Sequence, residues 1–253
     1  IHAKENIAAF LQKQALPYEA KKIAAKQRVL EYYHEICDVR NASVHVSVGG
    51  LDSITLFIFI RDFCHLDVPG ISASILEDKS VQAVHKQLGI ETVKPIKSKA
   101  AVIKEFGFPI LSKEIAAKIE LLQNPSENNK TVRHAIITGE TGEYGGFQTN
   151  SRMKLSKRWL ELFGGYENEN EGVNYKIPDF KVSAKCCYYL KEKPCDDWAK
   201  AHNSFPYLGL MASEGGRRQK ALMLHGCNYI SPTTVRSAPF APFSRQDLLR
   251  LAL

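Results

Sequence analysis

The chain has 253 residues, of which 44% are hydrophobic, a proportion typical of a folded protein with one sizeable core. The longest apolar run, Ile54 to Ile60, is broken by Arg61 and Asp62, so no stretch approaches the roughly 18 residues of a membrane-spanning helix. The formal net charge of +7 favours an anionic ligand such as a nucleotide. Because the basic residues are dispersed, nucleic acid is the less favoured anionic partner.

No secretory signal is visible, so we expect a cytoplasmic protein whose cysteines are reduced. The chain starts at Ile1 without a methionine and stops inside a predicted helix, Ser244 to Leu253. We therefore expect both termini to be trimmed.

The first part of the chain alternates predicted helices and strands. Apolar residues at helical spacing predict helices at 4–15 and 19–38. The following pattern predicts a strand at 43–48, a helix at 53–66, a strand at 71–76, a helix at 80–88 and a strand at 90–96. Short connections between such elements indicate parallel βαβ units with right-handed crossovers. We therefore expect an α/β fold with its ligand site at the carboxyl edge of the sheet.

The middle of the chain is predicted to be helical with polar connections. Ser112 is the expected N-cap of a helix that reaches about residue 123, and a second helix is predicted at 150–163. Polar loops are expected at 124–130 and 166–175, and a flexible connection or lid at 138–149, which carries four glycines. We expect a single domain overall, in which N-terminal helices at 1–40 precede an α/β domain at 41–253.

The stretch from Val44 to Ile54, VHVSVGGLDSI, joins a β-branched strand to an apolar helix through a glycine pair. Free amides at a helix N-terminus and the positive end of the helix dipole suit a phosphate, and glycine lets the backbone approach it. The candidate nucleotide-binding residues are Ser47, Gly49, Gly50, Asp52 and Ser53. The alternative interpretation is an ordinary strand-to-helix turn.

Four of the six cysteines lie in the C-terminal third of the chain: Cys186, Cys187, Cys195 and Cys227. Thiolates bind iron–sulfur clusters or zinc, and the adjacent pair favours a ligand role over a disulfide. The alternatives are four free thiols and a nucleophilic or sulfur-carrying cysteine, for which the flanking Lys185, Lys191 and Lys193 are expected to lower a thiol pKa. We expect Cys37 and Cys64 to be buried small hydrophobic residues.

A second glycine pair follows a predicted apolar strand that begins at Phe205, in the string Ser-Glu-Gly-Gly-Arg-Arg. Guanidinium groups beside glycine amides at the start of a helix form a site for an anion. This pattern makes Glu214, Arg217 and Arg218 candidate anion-binding residues. The alternative is that both arginines are surface charges.

The first glycine string resembles the PP-loop, Ser-Gly-Gly-x-Asp-Ser, of the adenine nucleotide α-hydrolase-like superfamily, which includes ATP pyrophosphatases and phosphoadenylyl-sulfate (PAPS) reductases. Val48 stands where that family has its first serine. Three later strings are similar to strings of PAPS-reductase-like proteins, phage-encoded ones among them, and occur in the same order. They are Gly107 to Lys113, Gly209 to Arg218, with Gly215 in place of a serine, and Arg236 to Leu249.

The resemblance implies a Rossmann-like (HUP-type) parallel sheet flanked by helices, with a cysteine-containing C-terminal extension. It implies an enzyme that binds an adenine nucleotide, ATP or PAPS, with Mg²⁺, and acts in sulfur transfer or sulfonucleotide reduction. A thiol reductant or a cysteine desulfurase is the implied partner. The implied catalytic or anion-binding residues are Lys113, Lys191, Glu214, Arg217 and Arg218. By similarity to adenylyl-sulfate reductases, the implied ligands of a [4Fe-4S] cluster are Cys186, Cys187, Cys195 and Cys227.

Two alternative functions stay open. The first is an adenylating sulfurtransferase of the ATP-pyrophosphatase type, which modifies a nucleic acid or a small molecule. The second is a non-catalytic nucleotide sensor, which Val48 and Gly215 favour. The Glu-Cys-Gly segment of thioredoxin-dependent PAPS reductases does not occur in this sequence.

Overall fold

The computed structural model describes residues 2–110, 112–140, 152–164, 167–168, 173–174 and 178–253. The chain divides into two compact units. The first unit joins Ile1–Lys94 to Lys193–Leu253, and the second is Pro95–Glu192. Each unit has a hydrophobic core of its own.

The described helices, in chain order, are α1 (His2–Gln14), α2 (Tyr18–Tyr33), α3 (Leu51–Ile58), α4 (Lys79–Gln87), α5 (Lys99–Phe106), α6 (Lys113–Gln123), α7 (Lys130–Thr138), α8 (Lys157–Trp159), α9 (Lys185–Cys187), α10 (Lys193–Ala201), α11 (Gly216–His225) and α12 (Arg245–Ala252). The described strands are β1 (Ser43–Ser47), β2 (Gly70–Ser72), β3 (Glu91–Thr92), β4 (Glu167–Asn168), β5 (Val173–Asn174), β6 (Ser204–Leu208), β7 (Asn228–Ile230) and β8 (Val235–Ser237). Helices α2, α3, α8 and α9 continue as π-helical segments, which are His34–Val39, Phe59–Phe63, Leu160–Gly164 and Tyr188–Glu192.

The first unit is built on a six-stranded, mostly parallel sheet flanked by helices, which confirms the predicted α/β class. The strand order is β3-β2-β1-β6-β8-β7, and β7 pairs antiparallel with β8. Both neighbours of β1 are parallel to it, with Ser47 opposite Ile71 on one side and opposite Leu208 on the other. This arrangement is consistent with a Rossmann-like fold.

Alternation along β1 explains why this strand is central. Val44 and Val46, with Val48 beyond the strand, belong to the main core cluster, which also contains residues of α2 and α3. His45 is buried as well, although alternation directs it to the opposite face. A strand buried on both faces needs helices on both sides, as parallel sheets do.

Two predicted strands are shorter in the structure. The predicted strand at 71–76 ends at Ser72, and a 3₁₀ turn at Ser74–Leu76 follows it. The predicted strand at 90–96 pairs only over Glu91–Thr92. Pro95 lacks an N–H donor, and a strand with proline loses part of its hydrogen-bond ladder.

The second unit is mainly helical. Ser112 caps α6 as predicted, since its hydroxyl accepts a hydrogen bond from the Ile115 amide at 3.2 Å. The predicted polar loop at 124–130 contains a short 3₁₀ turn, and the predicted helix at 150–163 begins only at Lys157 within the described residues. Most of the predicted lid, at 141–149, lies outside the described residues, as does most of the predicted loop at 166–175. The described parts of that loop form the antiparallel pair β4–β5.

Among the described residues, no helix has the length and apolar character required to cross a membrane. The division into N-terminal helices at 1–40 and a domain at 41–253 stays a prediction.

Candidate functional site

The first glycine pair lies at the carboxyl end of β1, where the strand order changes direction. From β1 the chain crosses over to β2 and β3 on one side, and later it returns to β6 on the other side. In open parallel sheets such a reversal leaves a crevice at the carboxyl edge, between the two strands from which the chain departs. The loop at 48–53 therefore lies where α/β proteins bind ligands.

Hydrogen bonds within the chain hold this loop at both ends. The Val48 amide donates to the Ile71 carbonyl oxygen at 2.8 Å, which extends the pairing of β1 with β2. The Gly49 amide donates to Ser53 Oγ at 2.7 Å, and that hydroxyl donates to the Gly50 carbonyl oxygen at 3.0 Å. Ser53 thus joins the two ends of the turn through its hydroxyl group.

The first turn of α3 offers unpaired amides. Gly50 is the N-cap of this helix and supplies no side-chain acceptor. Within the described ranges of the chain, no acceptor faces the amides of residues 50–53. These N–H groups and the positive end of the helix dipole together attract an anion.

The fold itself does not require glycine at 49 or 50. Gly50 has φ −85° and ψ −161°, an extended conformation that any residue adopts. A Cβ on Gly49 would lie 3.8 Å from Ser53 Oγ, an ordinary contact, and a Cβ on Gly50 would meet nothing within 4 Å. Open space above Gly50, with only one ordinary contact at Gly49, lets a ligand approach the backbone closely.

Gly209, just after β6, packs directly against the start of α3. A Cβ at this position would lie 2.8 Å from the backbone nitrogen and Cα of Ser53. Real Cβ atoms do not approach backbone that closely, so only glycine allows β6 to end beside the loop. This contact fixes the distance between the two strand ends that flank the crevice.

An ion pair connects the first turns of α3 and α12. The Arg245 guanidinium contacts the Asp52 carboxylate, and the arginine side chain is still about half exposed. Arg245 begins α12, which has a capping box in which the Ser244 and Asp247 side chains each accept from the backbone amide of the other residue. Lys21 of α2 binds Asp247 at 2.8 Å and anchors this helix start. Because Arg245 neutralises the charge of Asp52, the electrostatic potential beside the unpaired amides stays positive.

A buried histidine holds the loop from the side of β2. His85, in the last turn of α4, is 1% exposed, and its Nε2 lies 2.8 Å from the Gly49 carbonyl oxygen. Its Nδ1 lies 2.9 Å from Ser74 Oγ. Sequence reasoning missed this residue, since a single histidine within a predicted helix carries no signal of such a contact.

Val48, which stands where the PP-loop has its first serine, and its neighbour Ser47 lie on opposite faces of the strand. Val48 is 6% exposed and packs in the main core cluster, so a hydroxyl there would be buried away from the crevice. Ser47 is the last residue of β1, is partly exposed and belongs to the opposite face of the strand.

The second glycine turn leads into α11. Gly215 and Gly216 have φ +79° and +63°, conformations that L-residues rarely adopt. The Arg218 guanidinium pairs with Glu214 at 2.5 Å, one helical turn away, and the arginine side chain is 60% exposed. The Arg217 side chain lies outside the described part of the structure.

The remaining predicted anion-binding residues belong to the second unit. Lys113, at the start of α6, pairs with Glu192 at 2.5 Å, and Lys191 precedes that glutamate. Lys113 and Cys187 line the same cavity of about 150 Å³, together with Ser112. The structure thus brings together two predicted site residues that are far apart in sequence.

The four candidate cluster ligands are divided between the units. Cys186 and Cys187 lie in α9 of the second unit, and Cys195 and Cys227 belong to the first unit. Within the described ranges, no three His, Cys, Asp or Glu side chains are grouped as ligands for a metal ion. The cluster therefore stays a prediction.

For Cys195, the prediction that flanking lysines lower the thiol pKa is wrong. Burial, followed by the charge of Asp196, raises the pKa of the Cys195 thiol to about 11. Burial also raises the pKa of the Cys227 thiol. As placed, both groups are protonated thiols at neutral pH.

Comparison of the chain with protein-family models, with curated proteins and with solved structures gave no match.

Proposed function

We propose that the chain binds an adenine nucleotide through the loop Gly49–Ser53 and is an enzyme of the PAPS-reductase type, acting in sulfur transfer or sulfonucleotide reduction. The observation that carries the proposal is a glycine pair that the fold does not require, set at the carboxyl edge of a parallel sheet below unpaired helix amides. This geometry supports a phosphate ligand. The choice of adenine and of sulfur chemistry rests on the sequence resemblance.

In this proposal the phosphates occupy the space above Gly49 and Gly50 and accept hydrogen bonds from the amides of residues 50–53. The Ser53 hydroxyl, which now bonds to the Gly50 carbonyl oxygen, turns to donate to a phosphate oxygen. Mg²⁺, where it accompanies ATP, would use phosphate oxygens as its main ligands, as this ion does in other nucleotide sites.

The arginines have distinct proposed roles. Arg245 keeps Asp52 neutralised, so that the carboxylate does not repel an incoming phosphate. Arg218 is proposed to hold a second anionic group, which requires it to leave its exposed pair with Glu214. Exposed ion pairs of this kind contribute only about 0.5 kcal/mol, so a phosphate or sulfate can compete for the guanidinium.

A non-catalytic nucleotide sensor is the second candidate, and the burial of Val48 favours it. The residue that replaces the first serine of the PP-loop is packed into the core, so no side chain from position 48 reaches the crevice. A sensor needs phosphate recognition but none of the groups that stabilise a transition state. An adenylating sulfurtransferase, with a thiol reductant or a cysteine desulfurase as its partner, is the remaining alternative.

Three assays on the wild-type protein separate these functions. Sulfite release from PAPS in the presence of a dithiol reductant selects a sulfonucleotide reductase, because two electrons from the thiols are needed to reduce the sulfo group. Pyrophosphate release from ATP selects an adenylating sulfurtransferase. Nucleotide binding with neither product indicates the sensor, and the absence of binding to both ATP and PAPS contradicts the proposal.

The loop is tested with a pair of serine variants. Ser53→Ala removes the hydroxyl proposed to contact phosphate, and we expect about tenfold weaker binding of ATP or PAPS in calorimetric titration. Ser80→Ala is the matched control, since Ser80 also lies in the first turn of a helix, where its hydroxyl bonds to Asp78. Equal affinities of the two variants would exclude Ser53 from the site.

The proposed [4Fe-4S] cluster has its own test. We expect anaerobically purified protein to absorb at visible wavelengths as iron–sulfur proteins do, and the Cys186→Ser variant to lose this absorption. A colourless, iron-free preparation would remove the cluster from the proposal without affecting the phosphate site.

A further inference from the structure

Two buried histidine–serine pairs lie in or beside the central strand β1. His45 is the middle residue of β1, and its Nδ1 lies 2.8 Å from Oγ of Ser204, the first residue of β6. At the carboxyl end, His85 Nδ1 lies 2.9 Å from Ser74 Oγ. Both histidines are 1% exposed. Only the second pair continues into the glycine loop, through the 2.8 Å contact of His85 Nε2 with the Gly49 carbonyl oxygen.

The partners of His85 determine its tautomer. A carbonyl oxygen only accepts hydrogen bonds, so Nε2 carries the proton and donates to Gly49. In the neutral ring Nδ1 is then the acceptor, and the Ser74 hydroxyl donates to it. Ser74 lies in the 3₁₀ turn after β2, and this hydrogen bond fixes the rotation of the imidazole ring.

The consequence for the loop follows from peptide geometry. The carbonyl of Gly49 and the N–H of Gly50 belong to one planar trans peptide unit, in which the two groups point in opposite directions. When His85 holds the carbonyl oxygen on its own side, the Gly50 N–H must point away from His85. No acceptor within the described residues meets that N–H.

We propose that His85 is a positioning residue for phosphate binding, which orients the Gly49–Gly50 peptide so that the Gly50 amide faces the ligand. This inference rests on the proposed function for its ligand, although the orientation itself is a property of the free protein. Without His85, rotation of this peptide would allow the carbonyl oxygen to face the crevice, where its negative partial charge opposes an anion. Glycine at both positions makes such a rotation easy.

Conservative and disruptive variants of the two histidines test the proposal. His85→Gln keeps an N–H donor for Gly49, and we expect affinity for ATP or PAPS within about threefold of wild type. His85→Phe keeps a ring but no donor, and we expect about tenfold weaker binding, the loss typical of one buried hydrogen bond. His45→Phe is the matched control, which removes the other buried histidine and is expected to leave the affinity unchanged.

The serine partners give a milder version of the same test, in case the phenylalanine variants fold poorly. Ser74→Ala removes the group that fixes the His85 ring, and about threefold weaker binding is expected. Ser204→Ala removes the corresponding partner of His45, with no expected change. In the His85→Phe background, Ser74→Ala should have no further effect on affinity, because the serine acts only through the histidine.

A measurement without nucleotide separates this inference from the proposed function. In the free protein, hydrogen exchange of the Gly50 amide should be altered at least about tenfold by His85→Phe and unaltered by His45→Phe. If wild type binds nucleotide and folded His85→Phe binds equally well, the inference is wrong while the proposed function stands. If wild type binds neither ATP nor PAPS, the proposed function fails. In that case unchanged exchange in His85→Phe overturns the orienting role too, and altered exchange supports it.

Discussion

Two glycine pairs lead the chain into helices of the first unit, and they need glycine for different reasons. At Gly215-Gly216 both residues have positive φ, and Gly215 lies at φ +79° and ψ −167°, a conformation essentially limited to glycine. At Gly49-Gly50 the backbone is unstrained, and added Cβ atoms would meet no close neighbour. The second turn needs glycine for its own backbone, whereas the backbone of the first would accept other residues.

The contrast shows what a glycine motif alone cannot reveal. Both pairs follow an apolar strand and precede a helix, so their sequences predict the same local structure. Only backbone angles and the surroundings separate a glycine that forms a turn from a glycine that admits a ligand. The first turn also has supports that the second lacks, since His85, Arg245 and Gly209 all contact it.

The largest loss of stability and nucleotide binding is expected when Gly209 is replaced. This residue packs against the first turn and precedes the second. Gly209→Ala places a Cβ 2.8 Å from Ser53 backbone atoms, and the loop and β6 must separate to admit it. We expect a loss of about 3 kcal/mol in the free energy of unfolding, together with loss of nucleotide binding. Urea denaturation and calorimetric titration measure the two effects. A variant as stable as wild type would show that the close approach is not as described.

Restoring the serine of the PP-loop should destabilise the protein rather than improve the site. Val48→Ser places a hydroxyl in the main core and removes a buried methyl group, at an expected cost of about 2 kcal/mol in the free energy of unfolding. Because position 48 faces the core, we expect no gain in nucleotide affinity or turnover. Tighter binding in the serine variant would mean that residue 48 reaches the crevice.

Replacing a glycine of the second turn should destabilise the protein and leave nucleotide binding nearly unchanged. Gly215→Ala forces an L-residue into a conformation essentially limited to glycine, which costs about 1–2 kcal/mol. We expect nucleotide affinity to change by less than about threefold, measured in conditions where the variant is fully folded. A large loss of affinity without a loss of stability would show that both turns take part in nucleotide binding.

The cysteines also differ in whether the fold buries them or leaves them exposed to solvent. Cys187 is exposed, whereas burial raises the pKa of Cys195 and of Cys64 to about 11. At pH 8 such thiols are only about one-thousandth ionised, so iodoacetamide should modify Cys187 at least about tenfold faster than these two. Mass spectrometry of digested protein gives the rates. Fast modification of Cys195 would place it in a different environment, and protection of Cys187 in anaerobic protein would favour the cluster.

Much of the fold follows from sequence periodicity, and the site follows only in part. The predicted helices at 19–38 and 53–66 correspond to α2 and α3 with their π-helical continuations, because long apolar patterns at helical spacing are strong signals. The sequence predicts strand ends less well, as at β2 and β3, since pairing partners rather than local residues decide where a strand stops. These boundaries depend on contacts between residues distant in sequence, and a local sequence pattern carries no information about such contacts.

The sequence identifies the loop residues Gly49, Gly50, Asp52 and Ser53 as candidates because they lie within five consecutive positions. His85 and Arg245 lie 36 and 193 residues from their partners in the loop, and neither belongs to a motif that predicts the contact. Val48 could be identified as a departure from the PP-loop pattern, but its burial in the core is a property of the folded strand. Sequence reasoning thus locates the backbone of the site and misses the side chains that support it.

The most direct measurement compares Gly49→Ala with Gly215→Ala in both stability and affinity for ATP and PAPS. We expect Gly49→Ala to keep the wild-type free energy of unfolding within about 1 kcal/mol, since the backbone accepts alanine there, and to bind nucleotide at least about tenfold more weakly. Gly215→Ala should show the opposite pattern. If Gly49→Ala binds nucleotide as wild type does, or unfolds as readily as Gly215→Ala, the first glycine pair is a structural turn and not the phosphate site.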